Sequence, residues 1–238
     1  MTAPAPNKPT LSIETIIAEL DKSTRMHAKL TLAGLHGMVE ARAWGLKLAR
    51  DLTLFRQGSL AWKDVDPACL LHGPPGTGKT TFAKALAASC GVPLVATSYS
   101  DWQSTGEGHL GSTITAMTAA FSEAIAAKPA ILFIDELDSL PKRRGGDRSD
   151  YWNAAVNAVL KEFDRLKSVE GVVVVGACNH PEMLDPALVR SGRMDRMIRL
   201  SLPTAEEIEG ILCYHLSEDE IAALLENKGP PLDTNRGD

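Results

Sequence analysis

The chain alternates short apolar runs with longer segments whose apolar residues recur at helical spacing. Short, continuous apolar runs are typical of parallel strands that are buried on both faces. The predicted strands are 68–71, 93–97, 130–134, 171–176 and 197–202. The predicted helices are 38–57, 81–90, 113–127 and 150–167, with a short helix at 186–189. This alternation predicts an α/β fold, a three-layer sandwich in which helices cover both faces of a five-stranded parallel sheet.

The segments outside this alternation are predicted to be appendages. Residues 1–10 are rich in proline and alanine, as in disordered tails. Residues 11–31 carry apolar side chains at helical spacing and predict an N-terminal helical extension, which either packs on its own domain or docks a partner. The polar, glycine-rich segment 98–112 is predicted to be a loop. The remaining predicted units are the α/β domain at 32–203, a shortened helical lid at 204–227 and a flexible tail at 228–238.

A glycine-rich turn follows the first predicted strand and precedes a predicted helix. It runs from His72 to Thr80 and contains the spacing GxxxxGKT. Its glycines let several backbone N–H groups point at one anion, which also meets the positive end of the helix dipole. We expect Lys79 to reach the β- and γ-phosphates of a nucleotide and the Thr80 hydroxyl to bind Mg²⁺. The alternative is a glycine-rich turn with an incidental lysine, and the full spacing with both flanks argues against it.

Polar side chains stand directly after two further strands. Asp135 and Glu136 end one apolar run, and Asn179 follows the next strand. In parallel sheets, ligands bind at the carboxyl ends of the strands. We therefore expect Asp135 to hold Mg²⁺, through water or Thr80, and Glu136 to polarise the water that attacks the γ-phosphorus. Asn179 would orient that water or contact the γ-phosphate. An acidic surface loop and a turn-forming asparagine are the simpler alternatives.

Two arginines lie beyond this edge, in the segment from Leu184 to Arg196. Arg190 and Arg193 are predicted to lie on the far side of the module from its own nucleotide. They are therefore suited to reach the γ-phosphate of a neighbouring subunit, where an arginine neutralises charge in the transition state. A solvated basic loop is the alternative.

Composition narrows the classes of partner and compartment. The formal net charge of −5 offers no electrostatic case for nucleic acid as the main partner. No apolar run approaches the length of a membrane span, and the start lacks the layout of a signal peptide, so we expect a cytoplasmic protein. The four cysteines form no CxxC pair, and no HExxH motif occurs, so we expect neither a redox pair nor a zinc-protease centre in this chain.

Together these motifs resemble the ATPase module of the AAA+ superfamily, in the branch with a second region of homology. The resemblance covers about 32–203 and is strongest to the ATPase part of AAA zinc proteases, through Phe133 to Asp138, Gly176 to Pro181 and Leu184 to Pro203. It implies a P-loop NTPase fold, ATP and Mg²⁺ as cofactors, and a homo-oligomeric ring, usually of six subunits, that couples ATP hydrolysis to the remodelling of a protein substrate. Any proteolysis would come from a separate partner chain.

The resemblance also implies a role for each matched residue. Glu136 and Asn179 match the catalytic glutamate and sensor 1, Arg190 and Arg193 the arginine fingers, and Asp164 an acid near the subunit boundary. The implied nucleotide-binding residues are Gly34 and Leu35 at adenine, Gly73, Pro74, Pro75, Gly76, Thr77, Gly78, Lys79, Thr80 and Thr81 at the phosphates, and His215 in the lid; Thr80 and Asp135 are the implied metal-binding residues.

This chain departs from the family pattern in ways that leave rival functions open. The loop that usually presents an aromatic residue to the ring's pore reads Gln103 to Gly108 and has none at its tip, and Trp102 is expected to pack at its base. The lid is short. A nucleotide-gated interaction module with little turnover is therefore the main rival, and a remnant that keeps the fold without the function is another. Kinase or helicase activity would not explain the arginine segment.

Overall fold

The computed structural model describes residues 30–105, 109–140, 142–143, 150–190 and 192–215. Within them, five strands form one sheet in the order β2-β3-β4-β1-β5, and each neighbouring pair is parallel. The strands are β1 (Ala68–His72), β2 (Leu94–Ser98), β3 (Ala130–Asp135), β4 (Val172–Cys178) and β5 (Met197–Arg199). The prediction of a five-stranded parallel sheet is therefore confirmed.

Helices precede, connect and follow the strands. They are α1 (Val39–Arg56), α2 (Lys79–Cys90), α3 (Tyr99–Ser104), α4 (Leu110–Ala126), α5 (Asp150–Leu166) and α6 (Ala205–His215). Short 3₁₀ turns lie at Leu32–Gly34, Trp62–Asp64, Leu137–Ser139 and Pro181–Met183. Most of these helices begin and end within a few residues of the predicted boundaries.

Two hydrophobic cores lie on opposite faces of the sheet. One core packs α1 and α2 against side chains such as Leu71, Phe133 and Val175. The other packs α3, α4 and α5 against alternate residues of the same strands, such as Leu132 and Val174. Successive side chains of a strand point to opposite faces, so one apolar run supplies both cores. This arrangement is the predicted three-layer sandwich.

The register of the strands brings their carboxyl ends to one edge. His72 at the end of β1 lies opposite Cys178 at the end of β4, and Ser98 of β2 lies opposite Asp135 of β3. Strand β4 pairs with β1 on one side and with β3 on the other. The residues that follow these strands therefore meet above the centre of the sheet.

The segment 98–112, predicted to be a loop, is partly helical, and that prediction was wrong. Helix α3 starts after Ser98, whose side-chain hydroxyl accepts a hydrogen bond from the N–H of Asp101 at 3.0 Å. A serine at this position satisfies a free N–H of the first turn and favours a helix start. Trp102 is 2% exposed, and its Nε1 donates to Thr97 Oγ1 at 2.6 Å. Trp102 thus packs at the base of this segment, as predicted.

The short helix predicted at 186–189 is also wrong, because these residues form hydrogen-bonded turns. The Asp185 carboxylate accepts the N–H of Ala187 at 2.9 Å and holds the backbone in a turn. Strand β5 ends at Arg199, before the predicted end at residue 202. The predicted tail at 1–10, most of the extension at 11–31, the second half of the lid and the tail at 228–238 lie outside the described residues.

None of the helices in the described ranges is long and apolar enough to cross a membrane.

Candidate functional site

The glycine-rich turn predicted to cradle phosphate links β1 directly to α2. Gly78 caps the helix with a φ of 84°, a left-handed conformation that favours glycine. A Cβ atom on Gly73 would overlap the carbonyl oxygen of Leu200, which follows β5. The turn therefore needs glycine at one end for its backbone conformation and at the other for its close approach to a neighbouring strand. It delivers the N-terminus of α2 to the carboxyl edge of the sheet.

Lys79 begins α2 and is 8% exposed. Its Nζ donates to Gly73 O at 2.7 Å, Pro74 O at 3.1 Å and Asn179 Oδ1 at 2.8 Å. Burial lowers the pKa of Lys79, and the nearby charge of Asp135 opposes that shift. The ammonium group thus lies inside the turn and touches the asparagine that follows β4, although the two residues are far apart in the sequence.

The two residues predicted to bind Mg²⁺ lie next to each other. Thr80 Oγ1 donates to Asp135 Oδ2 at 3.1 Å, across the gap between α2 and β3. A hydroxyl and a carboxylate oxygen are hard donors, the type that Mg²⁺ prefers, and Mg²⁺ sites commonly combine one or two such groups with water and phosphate oxygens. The donor set therefore fits a magnesium ion bound together with a nucleotide.

Glu136 follows β3 in a left-handed conformation, with a φ of 55°. Non-glycine residues seldom adopt this conformation, and such residues cluster at functional sites. The N–H of Glu136 donates to Asp135 Oδ1 at 2.8 Å, and the Ser100 hydroxyl donates to Glu136 Oε2. The side chain is exposed. The sharp turn gives Asp135 and Glu136 different directions, which suits different roles.

The backbone at Asn179 is fixed by Asp138, a residue to which the sequence pattern assigned no role. The Asp138 carboxylate accepts the N–H groups of Asn179 and His180, both at 2.9 Å. Asp138 lies in the 3₁₀ turn that follows Glu136, so this carboxylate links the ends of β3 and β4. The side-chain amide of Asn179 is then free to meet Lys79.

Removing the Asp138 carboxylate tests whether the position of Asn179 matters for the predicted activity. In Asp138→Ala the two N–H groups lose their acceptor, which should lower the free energy of unfolding by about 2 kcal/mol. If Asn179 acts in the predicted ATP hydrolysis, kcat should fall about tenfold or more, since small displacements of catalytic groups have large effects. Denaturant unfolding and steady-state kinetics measure the two quantities, and Asp138→Asn, which keeps an acceptor oxygen, is the control. An unchanged kcat in a folded Asp138→Ala protein would contradict this role.

The two arginines differ in their surroundings. Arg190 is exposed. Arg193 folds back on its own chain, where its guanidinium donates to Ala187 O at 2.6 Å and to both carboxylate oxygens of Asp164, at 2.9 and 3.1 Å. Lys167 also contacts Asp164 at 2.8 Å, and the hydrogen bonds from Lys167 and Arg193 lower the pKa of this carboxyl group. The structure therefore groups Arg193 with the acid predicted to lie near the subunit boundary.

A cavity of about 200 Å³ lies between the phosphate loop, the segment before α1 and helix α6. Gly34 and Leu35, predicted to contact adenine, line it together with Thr81 of α2 and Tyr214 of α6. A Cβ atom on Gly210 would overlap the ring of His36, so a glycine allows α6 to pack closely on this segment. The side chain of His215 lies outside the part of the chain that the structure describes, and its lid role stays a prediction.

The structure thus brings most predicted site residues to one edge and adds four that the sequence reasoning missed. The phosphate loop, Asp135, Glu136 and Asn179 meet there, whereas Arg193 is directed at its own Asp164. Ser100 and Asp138 contact this edge, and Arg143 and Asp185 form an ion pair at 2.8 Å between the segments that follow β3 and β4. A serine three residues before Asp101 was the available signal for the cap that places Ser100. The ion pair between Arg143 and Asp185 carried no local signal.

Comparison with known proteins shows the family to which this chain belongs. Residues 69–202 match the ATPase family associated with various cellular activities (AAA). The chain belongs to the AAA family. The matched span contains the phosphate loop, Asp135, Glu136, Asn179 and both arginines.

The AAA domain has relatives among bacterial ATP-dependent zinc metalloproteases. It is 35% identical over 198 residues to FtsH of Aster yellows witches'-broom phytoplasma, covering 82% of this chain and 29% of the relative. It is 42% identical over 156 residues to FtsH 1 of Symbiobacterium thermophilum, covering 64% and 26%. It is 39% identical over 197 residues to FtsH 3 of Sphaerobacter thermophilus, covering 81% and 39%. The chain therefore spans well under half the length of these relatives.

Proposed function

We propose that this AAA domain binds Mg·ATP at the carboxyl ends of β1, β3 and β4 and hydrolyses it within an assembly of several copies. The observation that carries this proposal is the meeting of Lys79 with Asn179 at 2.8 Å and of Thr80 with Asp135 at 3.1 Å. These contacts join three strand ends into one pocket at a helix N-terminus, the site that favours a phosphate anion. Membership of an ATPase family supports ATP as the ligand.

Each side chain then has a separate task. Lys79, now bonded to Gly73 O, would exchange its carbonyl partners for phosphate oxygens, and Thr80 and Asp135, now bonded to each other, would hold Mg²⁺. When bound there, Mg²⁺ would neutralise charge on the phosphates. Glu136 accepts a proton from the attacking water, and Asn179 orients that water or contacts the γ-phosphate. Gly34 and Leu35 line the cavity that would hold the base, and α6 closes it.

We propose that the substrate on which ATP hydrolysis acts is a protein. The relatives are named ATP-dependent zinc metalloproteases, and proteases act on proteins. We infer that this chain remodels a protein substrate or drives a separate partner chain. The adjoining copy would supply Arg190 or Arg193 to complete the site, in a ring usually of six subunits.

One observation favours a second function. Arg193 is held by its own Asp164 and Ala187, so it is not directed at a neighbour in this conformation. A chain that kept Arg193 there would bind nucleotide and change partners with little turnover. The two functions differ in how hydrolysis depends on assembly. Specific ATPase activity should rise with protein concentration for the assembled enzyme and stay low and flat for the interaction module.

The test of the proposed function combines mass and nucleotide. Native mass measurement of Glu136→Gln protein, with Mg·ATP and without it, should show bound nucleotide and a larger assembly in its presence. A monomer that carries no nucleotide at saturating Mg·ATP would overturn the proposal. The parent protein without nucleotide is the control for assembly that does not depend on ATP.

Replacing Arg193 tests action between copies. We expect Arg193→Ala to bind ATP normally and to hydrolyse it about 10³-fold more slowly, the size of effect that arginines have in other phosphoryl-transfer enzymes. Mixing it with Lys79→Ala subunits, which keep their arginines, should restore part of the activity. ATPase assays across mixing ratios measure this recovery. Activity equal to the sum of the two separate variants would count against action in trans.

A further inference from the structure

Two segments that leave the sheet side by side are joined by an ion pair. One follows β3 and contains Arg143, and the other follows β4 and contains Asp185. The Arg143 guanidinium donates to both carboxylate oxygens of Asp185, at 2.8 and 3.0 Å, and the Arg143 N–H donates to the same carboxylate at 3.3 Å. The Lys142 ammonium also donates to the carbonyl oxygen of Glu182. The segment that follows Glu136 is therefore hydrogen-bonded to the segment that leads to Arg190 and Arg193.

Asp185 is the buried member of this pair. It is 3% exposed, whereas 41% of the Arg143 side chain remains accessible. The hydrogen bond from Arg143 lowers the pKa of Asp185 to about 2, so the carboxylate is charged at neutral pH. A buried charge is unfavourable unless it is paired, and here Arg143 is its ionic partner. The pair therefore links the two segments through a buried carboxylate.

From Asp185 the contacts continue to Arg193 without interruption. Asp185 O accepts the N–H of Leu188 at 2.9 Å, and Leu188 O accepts the N–H of Met194, next to Arg193, at 3.2 Å. The N–H of Arg193 donates to Arg190 O at 3.1 Å, which closes the turn between the two arginines. The position of Asp185 thus sets the position of the loop that carries both arginines.

We infer that Arg143 and Asp185 are positioning residues, which hold the loop of Arg190 and Arg193 where these arginines act on the adjoining copy. The inference rests on the proposed function, because it assumes that the arginines act in trans. It links two regions of one subunit, the nucleotide site and the arginine loop. The segment that follows Glu136, in the subunit's own site, also determines where its arginines meet the next site.

The first measurement is kinetic. We expect Arg143→Ala to lower kcat about 10–100-fold with KM nearly unchanged, since a displacement of about 1 Å has effects of this size. Arg143→Lys keeps the charge but loses the two-point hydrogen bond, so its loss should be smaller. Lys47→Ala, which removes an exposed ion pair with Asp51, is the matched control and should leave kcat unchanged. An unchanged kcat in Arg143→Ala would overturn the inference.

A double substitution separates positioning from general damage. If Arg143 acts through the two arginines, then Arg143→Ala should lower kcat no further in a background that carries both Arg190→Ala and Arg193→Ala. Independent losses that multiply would overturn the inference. Thermal unfolding of each variant checks folding, and Arg143→Lys carries the same test if Arg143→Ala does not fold.

Mixed assemblies give the readout that a merely structural role would not change. Arg143→Ala subunits keep an intact nucleotide site of their own. Lys79→Ala subunits keep Arg190 and Arg193 in position, so in a mixed assembly they should restore hydrolysis at the neighbouring Arg143→Ala site. Asp138→Ala subunits have a defect in their own site and should not be restored. Recovery of Arg193→Ala without recovery of Arg143→Ala would overturn the inference alone. Recovery of neither would overturn action in trans, and with it both this inference and that part of the proposed function.

Discussion

Glu136→Gln protein binds Mg·ATP as tightly as the parent and hydrolyses it about 10²–10⁴-fold more slowly; this is the expected result for loss of a general base. Glutamine has nearly the same shape as glutamate but does not accept a proton at neutral pH. Since Glu136 is exposed at the end of β3 and lies outside the phosphate loop, the substitution should leave binding intact. Titration calorimetry measures the affinity, and a phosphate-release assay measures kcat.

The matched control for Glu136→Gln is Glu123→Gln, which changes an exposed glutamate on α4. Its kcat should equal that of the parent. A Glu136→Gln protein that still hydrolyses ATP at the parent rate would remove Glu136 from its proposed role. The Ser100 hydroxyl, which contacts the same carboxylate, should then be examined as a group that orients water instead.

Lys79→Ala should weaken nucleotide binding by about 10²–10⁴-fold. The ammonium group makes three hydrogen bonds in the turn, and phosphate oxygens are expected to replace some of these partners. Two hydrogen bonds to a charged group, each contributing about 1.5–3 kcal/mol, account for an effect of this size. Titration with Mg·ATP measures the affinity directly.

The control for Lys79→Ala lies on the same helix. Lys84 is exposed on α2, and Lys84→Ala removes an equal charge without touching the phosphate loop. Its affinity for Mg·ATP should match that of the parent. Equal affinity of Lys79→Ala and the parent would show that the phosphates bind elsewhere, and the proposed site would fail.

Residues whose roles follow from local spacing were predictable, and residues that act across the fold were not. The glycines and Lys79 form one continuous motif, and Asp135 is marked by the apolar run before it. Asp138 and Asp185 are single aspartates in the segments that connect the strands to the helices, and many aspartates in such segments only face solvent. Their partners, the N–H of Asn179 and the guanidinium of Arg143, lie far away in the sequence. A single sequence carries no signal for such pairs.

The two wrong predictions of secondary structure have different causes. The polar residues at 98–112 favoured a loop, yet burial of Tyr99 and Trp102 in the core stabilises α3. The segment 186–189 has helical composition, yet the hydrogen bond from Ala187 to Asp185 holds it as turns. Helix propensities amount to only a few tenths of a kcal/mol per residue, so tertiary burial outweighed them in the first segment and a local side-chain hydrogen bond outweighed them in the second.

By itself the sequence determined that this chain has buried parallel strands, a phosphate loop and polar residues after the strands, because periodicity and motif spacing are local properties. Only the tertiary structure decided that β4 lies between β1 and β3, which brings Asn179 to Lys79. It also decided that Arg193 rests on Asp164 and that Arg143 pairs with Asp185. Strand order and such pairs depend on how distant elements bury their surfaces together, and that balance is set by the whole fold.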